Sequence, residues 1–139
     1  MYLIDTNIIS ESRKGRKANK GVRQFFSGII AQQIEVFLSV VTIGELRRGI
    51  ELIRYRGDER QAQHLEEWLS SILSEYSDYI LEIDEEIAQV WGKLRAPHPK
   101  NALDKQIAAT ALIHDLTVVT RNRKDYEGTG VKIINPFDE

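Results

Sequence analysis

The chain has 139 residues, of which 42% are hydrophobic, so it is long and apolar enough for one domain with a sizeable core. It contains no cysteine, which excludes a disulfide framework and a cysteine-ligated zinc site. Its net charge of −2 is small, and it shows neither a targeting signal at its start nor an apolar run long enough to cross a membrane. We therefore expect a single domain over residues 1–139, located in the cytoplasm and without a membrane partner.

Five apolar runs, mostly rich in β-branched residues, predict strands. The first is Tyr2–Ile4, which ends directly before Asp5. The other four cover residues 36–41, 79–83, 117–120 and 131–134. Between these runs, apolar residues recur at helical spacing, so strands and helices alternate along the chain. This alternation predicts an α/β fold, a five-stranded mainly parallel sheet with helices on both faces.

Polar residues mark where two of the helices are expected to begin. Thr6 or Asn7 can cap a short helix over residues 8–11, because their side chains can accept hydrogen bonds from its first backbone N–H groups. Thr42 and Glu45 have the spacing of a capping box, in which the glutamate bonds back to the start of its own helix.

One predicted helix differs from the others because it is apolar around most of its circumference. It covers residues 103–115, and such a helix is usually buried. Lys105 and Gln106 interrupt its first turn, so we expect this end, which carries Asp104, to face water at the rim of the sheet.

Three carboxylates follow a predicted strand or open a predicted helix: Asp5, Glu45 and Asp104. Helix capping is the alternative explanation for each of them. In a parallel sheet, however, all three would lie at the carboxyl edge, where α/β folds place their ligand sites. The sequence therefore predicts a cluster of acids at one edge of the sheet.

Carboxylates that crowd together repel one another, and some stay protonated unless a cation is present. A hard divalent cation with oxygen ligands, such as Mg²⁺, relieves this repulsion. We therefore predict that Asp5, Glu45 and Asp104 are catalytic residues that bind Mg²⁺ or Mn²⁺. Such a site can activate water and neutralise a phosphate.

The positive charge is uneven along the chain. Residues 13–23 contain six basic residues and no acidic one. Such a segment can contact phosphates, although a solvated surface is the alternative. The residues that we predict to bind phosphates near the acids are Arg13, Lys14, Arg16, Arg47, Arg48, Arg121 and Lys124.

Four blocks of sequence resemble those of PIN-domain ribonucleases, in particular the VapC-type toxins of bacterial type II toxin–antitoxin pairs. They are LIDTN (residues 3–7), SVVTIGELRRG (39–49), DKQIAATA (104–111), and VTRN (119–122) followed by DYEG (125–128). The blocks occur in the family's order and span residues 3–128, which is nearly the whole chain. Each block is weakly specific alone, but the four together are specific.

The resemblance implies a PIN-like fold with an acidic pocket that binds Mg²⁺ or Mn²⁺. It implies endonucleolytic cleavage of RNA, often tRNA or ribosomal RNA, and a homodimer that a cognate antitoxin protein holds inactive. Asp5, Glu45 and Asp104 match the family's three best acidic positions. The chain departs from many members at Asn122, where they carry a fourth aspartate, and we expect Asp125 to supply that carboxylate instead.

The apolar faces of two predicted helices offer a surface for such partners. The helices at 20–31 and 58–76 contain Phe25, Phe26 and Trp68, and small domains rarely expose such faces without a partner. Packing of these residues into the chain's own core is the alternative.

Two other functions remain open from the sequence. A phosphatase or phosphotransferase could use Asp5 as its nucleophile, although the haloacid-dehalogenase-like enzymes need a second aspartate where this chain has Asn7. A non-catalytic binding module of the same fold is the second alternative.

Overall fold

Five short parallel strands form the centre of the fold in the computed structural model, which describes residues 1–138 and leaves Glu139 outside. They are β1 (Tyr2–Ile4), β2 (Val36–Ser39), β3 (Ile80–Leu81), β4 (Thr117–Val119) and β5 (Ile133–Ile134). Their order across the sheet is β3-β2-β1-β4-β5, and every pair of neighbours is parallel. This confirms the predicted α/β fold with a five-stranded parallel sheet.

Six α-helices connect the strands within residues 1–138. They are α1 (Thr6–Ser12), α2 (Lys20–Gln32), α3 (Val40–Tyr55), α4 (Glu59–Glu75), α5 (Glu85–Arg95) and α6 (Ala102–His114). Short 3-10 segments add to them at Gly15–Lys17, Arg123–Tyr126 and Pro136–Asp138. Because each strand returns to the sheet through a helical connection, the carboxyl ends of all strands meet at one edge.

The sheet separates two hydrophobic cores, because successive strand residues point to opposite faces. Ile4 and Val119 lie in the α1–α4 core, whose other buried members are Ile8, Ile9, Val22, Leu38, Leu46, Ile50, Ala62, Leu69, Ile72 and Tyr76. Leu3 and Val118 lie in the α6 core, with Ile107, Ala108, Ala111, Leu116 and Tyr126. Burial on both faces explains why the strands are continuous apolar runs.

The buried helix predicted over residues 103–115 is α6, and its small residues Ala108, Ala109 and Ala111 are buried. The first turn of α6 is partly open to water, since Leu103 is 49% exposed, but the expectation that Lys105 is among its water-facing residues is wrong. Lys105 is only 3% exposed, and its Nζ donates a hydrogen bond to the backbone oxygen of Lys100. The long side chain therefore reaches a backbone acceptor instead of solvent.

Two predicted helix starts are also wrong. The helix expected over residues 8–11 begins at Thr6, because the side chain of Asp5 caps it. The helix expected to start at Thr42 begins at Val40, because Ser39 Oγ accepts a hydrogen bond from Val41 N–H at 3.0 Å. The strand predicted over 36–41 therefore ends at Ser39, and the strands predicted over 79–83 and 131–134 are likewise shorter than expected.

The apolar faces of α2 and α4 are largely occupied by packing within the chain. Phe25, Phe26 and Trp68 are partly buried against the α1–α4 core, and Leu69 belongs to that core. The packing alternative is thus confirmed for these residues, and they supply no argument for a partner. None of the helices within residues 1–138 is both long enough and apolar enough to cross a membrane.

We predict that Ser39→Ala lowers the free energy of unfolding by about 1 kcal/mol, because the first turn of α3 loses its side-chain acceptor. Urea denaturation followed by circular dichroism at pH 7 measures this change. Ser70→Ala, on the exposed face of α4, is the matched control and should not lower stability, because alanine favours the helix at least as well as serine does. If both variants unfold at the same urea concentration as the unaltered chain, α3 does not depend on this cap.

Candidate active site

Asp5 lies where β1 ends, at the carboxyl edge of the sheet. Its backbone N–H donates to the oxygen of Val119 at 2.9 Å, so the ends of β1 and β4 are joined at this point. The Asp5 side chain is 3% exposed. A charged carboxylate at such a depth needs hydrogen-bond donors around it.

Three donors surround the Asp5 carboxylate. Oδ1 accepts the backbone N–H of Thr6 at 2.7 Å. Oδ2 accepts the hydroxyl of Thr120 at 2.8 Å and the hydroxyl of Tyr126 at 2.9 Å. Asp5 therefore caps α1, which confirms the capping role that the sequence left open. Asp5 also belongs to the predicted acidic cluster.

A second layer of hydrogen bonds holds Thr120. Its Oγ1 accepts the side-chain amide of Asn7 at 3.3 Å and the backbone N–H of Asn122 at 3.1 Å. Asn7 Oδ1 accepts the backbone N–H of Arg121 at 3.0 Å. Asn7 thus connects the start of α1 to the segment after β4, a structural role that suits an amide with both a donor and an acceptor.

Glu45 lies roughly one and a half turns into α3, too far along to close a capping box at the start of this helix. Its Oε1 instead accepts the hydroxyl of Thr6 at 3.0 Å, which connects α3 to α1. Burial raises the pKa of Glu45, and the charge of Asp5 raises it further, while the Thr6 hydrogen bond and Arg48 act in the opposite direction. The capping-box interpretation of Glu45 is therefore wrong.

Asp104 lies in the first turn of α6 but does not cap it, because the cap position belongs to Asn101. Burial raises the pKa of the Asp104 carboxyl to about 7, and the negative charges of Asp5, Asp125 and Glu45 contribute to this rise. Each of the other three predicted acids therefore acts electrostatically on Asp104. The structure brings all four into one region at the edge of the sheet.

Asp125 and Asn122 lie at the 3-10 segment Arg123–Tyr126, where Asp125 N–H donates to the backbone oxygen of Asn122 at 3.1 Å. Asn122 precedes this 3-10 segment and Asp125 lies within it. Asp125 is the member of this pair whose charge raises the pKa of Asp104. Asn122 contributes its backbone N–H to Thr120 and has a mainly exposed side chain.

Basic residues line a groove together with this turn. An open groove of about 400 Å³ is lined by Arg121, Asn122, Arg123, Lys124, Asp125 and Asn135. In the basic segment of the sequence, Lys14 makes an ion pair with Glu11 at 2.9 Å, and this bond is the main cause that lowers the pKa of Glu11. Exposed Arg13 lines a neighbouring groove with Glu45.

The predicted phosphate-binding residues differ in whether their side chains are exposed or already make ion pairs. Arg16 is exposed in the 3-10 segment Gly15–Lys17, and Arg48 is exposed on α3, where its charge lowers the pKa of Glu45. Arg47 instead makes ion pairs with Glu51 at 3.2 Å and Glu66 at 2.6 Å, and the second pair connects α3 to α4.

The donor set suits a hydrated magnesium or manganese ion. Every candidate ligand is a carboxylate oxygen, the type that hard divalent cations prefer. Within residues 1–138, no three acidic or histidine side chains are arranged as a ready-made ligand cluster. Mg²⁺ usually keeps several waters and binds through one or two carboxylates, so a looser arrangement still fits it.

Sequence reasoning missed the hydroxyl groups of the site, which belong to Thr6, Thr120 and Tyr126. All three lie within the sequence blocks that contain Asp5, Asn122 and Asp125. A buried carboxylate requires donors, and this requirement is the signal that could have directed attention to neighbouring hydroxyls.

We predict that Asp104→Asn stabilises the metal-free protein at pH 8. The folded pKa of about 7 lies above the ordinary value of 3.8, so folded Asp104 binds its proton more tightly than unfolded Asp104 does. Its contribution to stability therefore decreases as the pH rises from 4 to 7. Thermal melts of both proteins in EDTA at pH 5 and pH 8 test this: the advantage of the variant should be larger at pH 8. An equal difference at both pH values would contradict the raised pKa.

Comparison with known proteins agrees with this geometry. The family model described as PIN domain matches residues 2–129. The Toxin FitB of Neisseria gonorrhoeae is 35% identical over all of both chains, and the VapC ribonuclease Y4jK of Sinorhizobium fredii is 30% identical over 99% of both. The crystal structure of FitAcB from Neisseria gonorrhoeae superposes with a TM-score of 0.85 and 34% identity over all of both chains. The chain therefore belongs to the PIN domain family.

Proposed function

We propose that this chain is a metal-dependent endoribonuclease of the VapC type. The observation that carries the proposal is the convergence of four carboxylates on one region, where Asp5, Asp125 and Glu45 all act on the pKa of Asp104. A relative that is 30% identical over nearly its whole length is named a VapC ribonuclease, which supports the reaction class.

Asp5 and Asp104 would bind Mg²⁺ or Mn²⁺ directly. Glu45 and Asp125 would lie next to the bound ion. When bound, the ion lowers the pKa of a coordinated water and neutralises charge on the phosphate. The pKa values of Asp104 and Glu45 are raised by burial and by neighbouring negative charges, and a divalent cation would offset both effects.

Glu45 would act as the general base. Thr6 holds its Oε1 at 3.0 Å, which leaves Oε2 to accept a proton from an attacking water. Its raised pKa suits a general base, since such a group works best when its pKa approaches the working pH.

The basic groove and segment would hold the RNA backbone next to the acids. Arg121 and Lys124 line the groove that also contains Asp125. Positive charge beside an acidic site binds phosphates and releases their counterions. Arg47 and Lys14 are the weaker members of the predicted set, because Arg47 already makes ion pairs with Glu51 and Glu66, and Lys14 makes one with Glu11.

We further propose that the chain is the toxin of a toxin–antitoxin pair, because a relative that is 35% identical over its full length is named a toxin. A nuclease that acts on the RNA of its own cell must be held inactive, and a cognate antitoxin protein would do so. A homodimer, and tRNA or ribosomal RNA as the substrate, stay predictions.

The phosphotransferase alternative is less compatible with the site. Haloacid-dehalogenase-like enzymes need a second aspartate where this chain has Asn7, and Asn7 instead joins α1 to the segment after β4 through hydrogen bonds with Thr120 and Arg121. The alternative of a non-catalytic module makes the opposite prediction to ours in the following experiment.

We predict that the purified chain cleaves RNA in Mg²⁺ or Mn²⁺ and loses this activity in excess EDTA. Glu45→Gln should slow cleavage by roughly 10²–10⁴-fold, because the variant lacks the proton acceptor. Asp104→Asn should abolish cleavage while keeping the fold. Asp78→Asn is the charge-matched control, on an exposed turn away from the site. Gel assays of a labelled RNA measure these rates, and undiminished cleavage in EDTA would refute the proposal.

We predict that Asp125, and not Asn122, completes the acidic cluster. Asp125→Asn should weaken Mn²⁺ binding and RNA cleavage clearly, because it removes a charge that acts on Asp104. Asn122→Ala should have a small effect, since its backbone N–H bond to Thr120 survives. Isothermal titration with Mn²⁺ and cleavage assays, with thermal melts as the check on folding, compare the two. The reverse order of effects would assign the role to Asn122.

A further inference from the structure

The two oxygens of Asp5 are unequally engaged. A carboxylate oxygen has two lone-pair directions in which it can accept a hydrogen bond or bind a cation. Oδ2 accepts both Thr120 and Tyr126, so its two positions are filled. Oδ1 accepts only the backbone N–H of Thr6 among the described contacts, so one position remains.

The proton of Thr120 is directed toward Asp5 by its other partners. Its Oγ1 already accepts hydrogen bonds from Asn7 and from the backbone of Asn122. A hydroxyl has one hydrogen to donate, and with both acceptor positions taken, this hydrogen points to Oδ2.

Tyr126 is fixed by packing. It is 3% exposed and belongs to the α6 core with Leu3, Ile107 and Val118, so its ring cannot turn away from Asp5. Its hydroxyl lies 2.9 Å from Oδ2 of Asp5, and because an ionised carboxylate can only accept, the hydroxyl is the donor. Tyr126 follows Asp125 in the same 3-10 segment, so its bond to Asp5 also locates the turn that carries Asp125.

We propose that Tyr126 is a positioning residue that, together with Thr120, occupies Oδ2 of Asp5 and leaves Oδ1 as the oxygen through which Asp5 binds the divalent cation. This inference rests on the proposed metal-dependent function and adds how the chain selects one oxygen of its central ligand. Partners of this kind orient metal ligands, and their loss typically weakens metal affinity or activity by 10–100-fold. If Tyr126 served packing alone, phenylalanine would replace it without such a loss.

The test is Mn²⁺ binding to the full chain, measured by electron paramagnetic resonance of the free ion. Tyr126→Phe removes only the hydroxyl, and we expect about 10-fold weaker binding. The melting temperature should also decrease, because the buried Asp5 carboxylate loses one of its donors. Cleavage by this variant should need correspondingly more Mn²⁺ and recover much of its rate when the ion is in excess. Tyr76→Phe is the matched control, because Tyr76 is also buried but lies in the α1–α4 core.

Substitutions of Thr120 test the same proposal if the Tyr126→Phe variant does not fold. Thr120→Val removes the hydroxyl at similar volume and should also weaken Mn²⁺ binding about 10-fold, whereas Thr120→Ser keeps the hydroxyl and should restore most of the affinity.

The outcomes separate the two proposals. Folded Tyr126→Phe and Thr120→Val variants with unaltered Mn²⁺ affinity would overturn the positioning role alone. If the unaltered chain bound Mn²⁺ but did not cleave RNA, the ribonuclease proposal would fail, and weaker binding by the two variants would still support the positioning role. A chain that binds no Mn²⁺ at all would overturn both.

Discussion

A charged side chain buried at the end of a strand is the constraint on which this structure depends. Removing the Asp5 carboxylate from water is costly unless donors replace its hydration. The donors come from the start of α1 through Thr6, from the end of β4 through Thr120, and from the 3-10 segment through Tyr126. One side chain therefore fixes three segments relative to β1, and the positions of the other site residues follow from them.

The other acids of the site, unlike Asp5, have too few donors and positive charges around them. Asp104 and Glu45 are partly buried and near other negative charges, and their pKa values are raised because the site does not compensate their charge fully. The fold thus combines one fully hydrogen-bonded carboxylate with neighbours that have an unmet need for positive charge. The first gives the site its geometry, and the second leaves an excess of negative charge beside it.

The sheet and Asp5 could be predicted because both leave a local mark in the sequence. Strands that are buried on both faces are continuous apolar runs, and the polar residue that ends such a run lies at the carboxyl edge. Glu45 could not be assigned in this way, since Thr42 and Glu45 fit a capping box as well as a site, and only the contact with Thr6 from another helix decides. Lys105 was misplaced for a similar reason, because a bond to a neighbouring loop carbonyl leaves no periodic pattern. Sequence patterns record which face of an element is apolar, but not which distant atom a polar group meets.

The double role of Asp5 bears on how such a chain could lose its activity over evolutionary time. Asp5 caps α1 and joins β1 to β4, so a substitution there would harm folding whatever it does to the proposed reaction. Asp104 carries a charge that its surroundings do not compensate, so under the proposed function its loss would remove catalysis and relieve this strain. A lineage released from selection for catalysis would therefore discard Asp104 early and retain Asp5. Among related proteins, an aspartate after the first strand would then indicate only shared ancestry of the fold. An acid at the start of α6 would distinguish the relatives that keep catalysis from those that have lost it.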